Sequence, residues 1–257
     1  MAREGERPRV VFVFGSREEL GARVERVIAF AGRLDGELLA AFVEDTAVVW
    51  SAALPFTRAV SPSGGVRPLE PELARRALRL QARELRARFL ERTAGNGTMC
   101  RFVELTAHRF ELALERRDIP LFTPEQARAL IEITGRLPVP DELPTAILGR
   151  GGGPIVAFCG RSREFLERAL WLAGREGCPL VLVATAALPT DPKLERQIGE
   201  GVEAGRIRVI RGERTQPLLN SELSGIIQKE ARLLLVDPTA GVELDRILDL
   251  LAQAHSD

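Results

Sequence analysis

Two short stretches combine glycine, serine and arginine where an anion is easily held. Gly15-Ser16-Arg17 follows the apolar run Arg9 to Phe14, and Gly160-Arg161-Ser162-Arg163 follows the apolar run Ile155 to Cys159. A serine between a strand-like run and a helical pattern is an N-cap. The helix start behind it offers free amides and the positive end of the dipole. With the arginines adding charge, Gly15, Ser16, Arg17, Gly160, Arg161 and Ser162 are the candidate ligand-binding residues, and a small anionic ligand is the chemistry they suit. The competing reading, preferred on simplicity, is that both serines are ordinary N-caps beside solvated arginines.

Patterns for catalysis fall short. Gly160-Arg161-Ser162-Arg163-Glu164 lacks the last glycine of a nucleophile elbow. Ser162, Asp237 and His255 follow the chain order of α/β-hydrolases, but His255 is two residues from the end and the stretch is too short for that fold. Glu44 and Asp45, adjacent at a strand end, point to opposite faces and make a poor acid/base pair. Cys100, Cys159 and Cys178 show no C-x-x-C spacing and the histidines are His108 and His255, so neither a zinc site nor a disulfide framework is expected. Cys159 and Cys178 adjoin apolar runs and read as small buried hydrophobes. Lys193 and Lys229, the two lysines, follow no glycine-rich loop, which removes the phosphate-loop pattern. No catalytic residue and no metal ligand is assigned.

These residues need a scaffold, and the sequence spells one. Arg9 to Phe14 is a continuous β-branched and aromatic run of the kind that forms a strand buried on both faces. Ser16 with Glu19 forms a capping box, a helical pattern runs to Ala31-Gly32-Arg33, and Glu37 to Val43 is a second strand. The same grammar recurs at Ile155 to Cys159, Ser162 to Arg175 and Leu180 to Ala184. Ser to Ala spans 15 residues in the first copy and 11 in the second, a difference of about one helical turn that keeps the buried face in register.

Each copy continues in α/β fashion. The first has a long loop over Thr46 to Pro68 and a helix over Pro71 to Arg92. Strands at Cys100 to Leu105, Ile119 to Phe122 and Thr145 to Leu148 follow, with helices near His108 to Arg116 and from Thr123 to Gly135. The second has helices from Asp191 to Gly205, Leu219 to Glu230 and Val242 to Ala254, with strands at Ile207 to Ile210 and Leu233 to Val236, and lacks a fifth strand. The fold class is therefore α/β: two tandem doubly wound, Rossmann-like parallel-sheet domains, a complete one over 1–149 and a shortened one over 150–257. Gly149 to Gly153 reads as a linker.

Composition bounds the partners. Of 257 residues 45% are hydrophobic and 28% charged, close to the average for soluble domains. Thirty-six basic side chains, all but two of them arginine, balance 36 acidic ones, so no whole-molecule field favours nucleic acid or an anionic membrane. No stretch has the length of a signal peptide's apolar region or of a membrane span, and a cytoplasmic protein is the expectation. The loop from Val48 to Val60 carries Trp50, Leu54 and Phe56. Covering the core or a ligand cleft is the preferred reading for them, and meeting a homodimer mate or another protein partner is the alternative.

Val11 to Ser16 (VFVFGS), Gly36 to Asp45 (GELLAAFVED), Ile155 to Ser162 (IVAFCGRS) and Glu230 to Pro238 (EARLLLVDP) resemble the universal stress protein family, here as a tandem UspA-like pair covering nearly the whole chain. The resemblance implies an adenine nucleotide alpha hydrolase-like fold and a regulatory, stress-related role. Members of the family that bind ATP carry an aspartate before the Gly-Ser turn and G-x2-G-x9-G-[ST] after the fourth strand. Here Phe14 and Cys159 stand where that aspartate would be, and Thr123-Pro124-Glu125 and Asp237-Pro238-Thr239-Ala240-Gly241 replace the glycine-rich loop. Without those glycines backbone amides lose close approach to a phosphate. The expectation is a non-catalytic binding or regulatory module without conventional ATP or AMP binding. A nucleotide-binding member with slow ATPase activity is the alternative, and a protein-interaction scaffold the third reading.

Overall fold

The structure is a computed structural model and describes residues 7–14, 22–44, 46–61, 63–149, 151–189, 191–211 and 221–253. Among them eleven strands form a nine-stranded sheet and a two-stranded hairpin. The main-sheet strands are β1 (Arg9–Phe14), β2 (Glu37–Glu44), β5 (Cys100–Thr106), β6 (Asp118–Phe122), β7 (Thr145–Leu148), β8 (Ile155–Cys159), β9 (Leu180–Ala184), β10 (Ile207–Arg211) and β11 (Leu233–Val236). Their spatial order is β10-β9-β8-β11-β7-β6-β1-β2-β5. Every pairing is parallel except β11 with β7, where Leu233 lies opposite Leu148 and Val236 opposite Thr145. The sheet is therefore continuous across the glycine run at 149–153.

Strand alternation divides the core. Val10, Phe12 and Phe14 of β1 point to one face while Val11 and Val13 point to the other, and both sets are buried. The first face is covered by α1 (Ala22–Arg33), α3 (Pro71–Thr93), α6 (Arg163–Glu176) and α7 (Pro192–Glu203). The second is covered by α4 (Ala107–Ala113), α5 (Pro124–Thr134), α8 (Ser221–Gly225) and α9 (Leu244–Gln253). Helices on both faces of a mostly parallel sheet make the doubly wound α/β class read from the sequence. The expected capping box of α5 is present, with Thr123 Oγ1 accepting from the Gln126 amide at 3.2 Å and Gln126 Oε1 from the Thr123 amide at 2.7 Å.

Three expectations are corrected. Thr46 to Pro68 is not a structureless loop: α2 (Thr46–Ala52) packs on α3, and β3 (Arg58–Val60) pairs antiparallel with β4 (Val66–Pro68). Trp50, Leu54 and Phe56 do not cover the core either, although Trp50 lines a small cleft against α3. They are 74%, 47% and 75% exposed, because α2 buries Ala52 and turns its aromatic side outward. The glycines at 149–153 are no slack linker. The Gly149, Gly151 and Gly153 amides donate to the carbonyls of Arg232, Ala231 and Glu230 at 2.9–3.0 Å. A Cβ on Gly149 or Gly151 would stand 2.1 or 2.0 Å from the carbonyl oxygens of Ala231 and Glu230, so glycine serves close backbone approach here. The predicted helix over Leu219 to Glu230 is seen from Ser221, where α8 runs into a π-helical turn over Ile226–Glu230; residues 219 and 220 lie outside the described residues.

Candidate functional site

In an open α/β sheet the ligand position is outside the carboxyl ends of the strands, where the connections diverge to the two faces. In residues 151–253 this is the space above β8 and β11, which pair in parallel with Phe158 opposite Val236. Gly160 and Arg161 turn the chain from β8 into α6. Ser162 caps that helix, its Oγ accepting from the Phe165 amide at 3.1 Å, the N-cap expected for it. Arg163, the next residue, is held at the surface by Glu167 at 2.9 Å and Asp191 at 2.7 Å.

The amides that would receive an anion are taken by the chain itself. Asp237, 1% exposed, directly follows β11 and reaches across to the β8 turn. Its Oδ2 accepts from the Gly160 amide at 3.0 Å and the Ser162 amide at 3.2 Å. Its Oδ1 accepts from the amide and hydroxyl of Thr239 at 2.9 and 2.8 Å. Thr239 Oγ1 in turn accepts from the Arg161 amide at 2.8 Å, which engages all three turn amides. The Thr185 hydroxyl, at the end of β9, donates to the Ala240 carbonyl at 2.7 Å and so ties down the far side of the 3-10 turn Pro238–Ala240. The backbone also closes the space, since a Cβ on Gly160 would lie 2.4 Å from the Thr239 carbonyl carbon.

The side chains here do not assemble into a nucleophile. Asp237 meets Ser162 through its amide, while the Ser162 hydroxyl is spent on the cap. His255, the third member of the hydrolase order, lies outside the described residues. The Cys159 thiol is pushed up to about 12 by its burial and, less, by the Asp237 carboxylate, far from the thiolate a nucleophile needs. The Cys100 and Cys178 thiols are also raised, chiefly by burial. No group of His, Cys, Asp or Glu among the described residues has the spacing to hold a metal ion. No helix among them is long and apolar enough to cross a membrane.

Gly15, Ser16 and Arg17, the other candidate stretch, lie outside the described residues. What surrounds their position is described: Phe14 at the end of β1 is 1% exposed, and Thr123 at the end of β6 is fully buried in its capping box. The two candidate stretches sit on different strands of one sheet, β1 and β8, separated by β6, β7 and β11. A separate open cleft of about 1140 Å³ lies beyond β9 and β10, lined by apolar residues such as Leu188, Ile198 and Val202. Its two carboxylates, Glu195 and Glu203, outnumber its single guanidinium, Arg211, which disfavours an anion there.

Sequence reasoning missed the part played by Asp237 and Thr239. Asp237-Pro238-Thr239 is an Asx-type turn legible from residue types, its aspartate bonding the amide two residues on. That the second oxygen would fill a helix start 75 residues away is a fact of strand order alone.

No protein-family model and no curated protein matches the chain. Solved structures resemble it at low identity. A universal stress protein from Archaeoglobus fulgidus DSM 4304 is 11% identical with a TM-score of 0.49, over 88% of this chain and 95% of that one. A functionally unknown protein from Pseudomonas aeruginosa PAO1 is 13% identical with a TM-score of 0.41, over 97% and 98%. A protein from Pseudomonas aeruginosa UCBPP-PA14 given the universal stress protein assignment is 12% identical with a TM-score of 0.41, over 96% and 98%.

Proposed function

We propose that this chain is a universal-stress-protein-like binding or regulatory module of the cytoplasm, with no catalysis of its own and no conventional ATP or AMP binding. In this reading it consists of two repeats, 1–149 and 150–257. Strand order favours the repeat: β5-β2-β1-β6-β7 runs third, second, first, fourth, fifth within the first stretch, and β10-β9-β8-β11 runs third, second, first, fourth within the second.

The observation that carries the nucleotide part is Asp237. A phosphate at a helix start needs free amides and tolerates no fixed carboxylate in the same place. Here a buried carboxylate already accepts from Gly160 and Ser162, and Thr239 takes Arg161. Like charges a few ångströms apart in a site of low dielectric repel strongly. The carboxylate thus does for α6 what a ligand anion would do, which supports a second switch point that disfavours a triphosphate.

Isothermal titration of the full chain with ATP and with AMP tests this. No saturable heat is expected from either. Micromolar binding that disappears in Ser16→Glu or Ser162→Glu would overturn the reading and favour a nucleotide-binding member, for which phosphate release from ATP is then the assay.

A further inference from the structure

The exposed apolar surface of this molecule is concentrated. Of twelve large apolar side chains standing well exposed among the described residues, eight lie between Trp50 and Leu90. The same stretch breaks the neutrality of the chain. Residues 46–92 hold nine arginines and four glutamates with no lysine or aspartate, so five positive charges in excess are balanced by five negative ones elsewhere.

The helix α3 displays both features in register. Its buried stripe is Ala74, Leu78, Ala82, Leu85 and Phe89, of which Ala82, Leu85 and Phe89 join the core on the sheet. At about 100° per residue, Leu73, Leu80 and Ala87 fall on the opposite side in a narrow line of seven-residue spacing. Leu73 and Leu80 are 40% and 52% exposed. Arg76 and Arg83 interleave with them, Arg79 and Arg86 flank them on one side, and Glu84, Glu91 and Arg88 lie on the other. Arg75 is paired with Glu72 and Arg92 with Glu25, whereas Arg76, Arg79, Arg83 and Arg86 have no ion-pair partner among the described residues. Round the helix from this line, past Arg79, a separate cleft of about 320 Å³ between α2 and α3 is lined by Val49, Trp50 and Leu78 with Arg75, Arg79 and Glu44.

We propose that the outer face of α3 is the docking face for an acidic amphipathic helix of a partner protein. Such a helix would lay an apolar stripe along Leu73, Leu80 and Ala87 and set its carboxylates against Arg76, Arg79, Arg83 and Arg86. From Leu73 to Leu90 the face is about 26 Å long, the length of roughly 18 helical residues. Arginine around an exposed apolar strip is a composition enriched at interfaces relative to ordinary surface.

Charge chooses this occupant over the others. A second copy pairing α3 with itself about a twofold axis near Leu80 would set Arg76, Arg79 and Arg83 beside their own duplicates. An anionic bilayer taking up that stripe would have to take up Glu84 and Glu91 as well, which stand almost in line with Leu73 and Leu80. A nucleic acid would use the arginines and leave Leu73 and Leu80 in water. The proposal is independent of nucleotide binding, and the ATP titration has no bearing on it.

The test is fluorescence anisotropy of a labelled peptide of about 18 residues with leucines along one helical stripe and glutamates beside it. The comparisons are a permuted peptide of identical composition, phosphatidylglycerol vesicles and a single-stranded oligonucleotide. The full chain is expected to bind the striped peptide about tenfold or more tightly than the permuted one. The exposed triple variant Arg76→Glu, Arg79→Glu, Arg83→Glu should lose at least about tenfold, and the matching Arg→Lys triple should keep most of the affinity. Leu80→Ser should weaken binding without altering the circular dichroism spectrum. Equal binding of the two peptides, or vesicles or oligonucleotide bound in preference to the striped peptide, would overturn the proposal. So would binding insensitive to Leu80→Ser, which also covers a glutamate triple that fails to fold.

Discussion

Removing the Asp237 carboxylate strips acceptors from three amides and one hydroxyl at once. The Gly160 amide is buried and its orphaning costs about 1–3 kcal/mol. The Ser162 and Thr239 amides are partly exposed, recover water, and lose only about 0.5–1.5 kcal/mol each. Asp237→Ala should therefore destabilise the fold by about 4 kcal/mol, or roughly 8 °C in Tm for a chain of this length. Asp237→Asn is the more discriminating change. Each oxygen now accepts from two donors, so an amide side chain keeps one pair and points its own N–H groups at the other, for a loss of about 2 kcal/mol. Urea unfolding followed by circular dichroism gives both values, with the midpoint falling and the slope unchanged. Added phosphate should not rescue the alanine variant, because the Thr239 backbone still presses on Gly160. An asparagine variant as stable as wild type, or one further stabilised by phosphate, would refute the idea that the carboxylate is what fills this helix start.

The buried Glu176 carboxylate accepts from Arg33 at 2.9 Å and from Arg232 at 2.9 Å, joining α1 and α6 to the start of β11. Glu176→Ala should cost about 2–3 kcal/mol in the same urea assay, less than a wholly buried pair would lose because both guanidiniums can hydrate. The raised thiols make stability fall with alkali: a thiol whose folded pKa lies above its unfolded value of about 8.5 contributes fully below that pH and loses its contribution as pH climbs. With Cys159 at about 12 and no tyrosine in the chain, the urea midpoint should drop between about pH 8 and pH 11, and Cys159→Ala should flatten the decline. A decline identical in that variant would show that another group is responsible.

Strands with both faces buried were legible almost to the residue. β1, β7, β8, β9 and β11 coincide with the apolar runs Arg9–Phe14, Thr145–Leu148, Ile155–Cys159, Leu180–Ala184 and Leu233–Val236. Helices with sequence-local caps, such as α5 behind Thr123 and α7 behind Asp191, were equally plain. What escaped depends on partners far along the chain. The segment of α2 and its hairpin is built of short elements, and α2 rests on α3, so its residue types read as loop. The antiparallel match of β7 with β11 escaped as well, because nothing within LPTAIL or RLLLV names its neighbour. Of the candidate site, the Ser162 cap was local and readable, whereas its occupant was not.

These two unread features belong to one piece of structure. β11 lies between β8 and β7, and four residues of β7 pair with it against two that pair with β6. A second stretch without a fifth strand would leave the wholly apolar LLLV of β11 as a sheet edge, the arrangement most prone to unwanted pairing. β7 covers that edge and fixes where β11 ends. The next residue is Asp237, whose backbone amide donates to the Phe158 carbonyl at 3.0 Å while its side chain closes the β8 turn. The seam that makes the sheet continuous is thus also what aims the carboxylate. A strand slipped by one residue would reverse every side chain of β11 and carry Asp237 away from Gly160 and Ser162. Filling of the switch point therefore follows from how the two stretches share a strand, which sets the turn after β11 where it brings its own anion to the β8 turn.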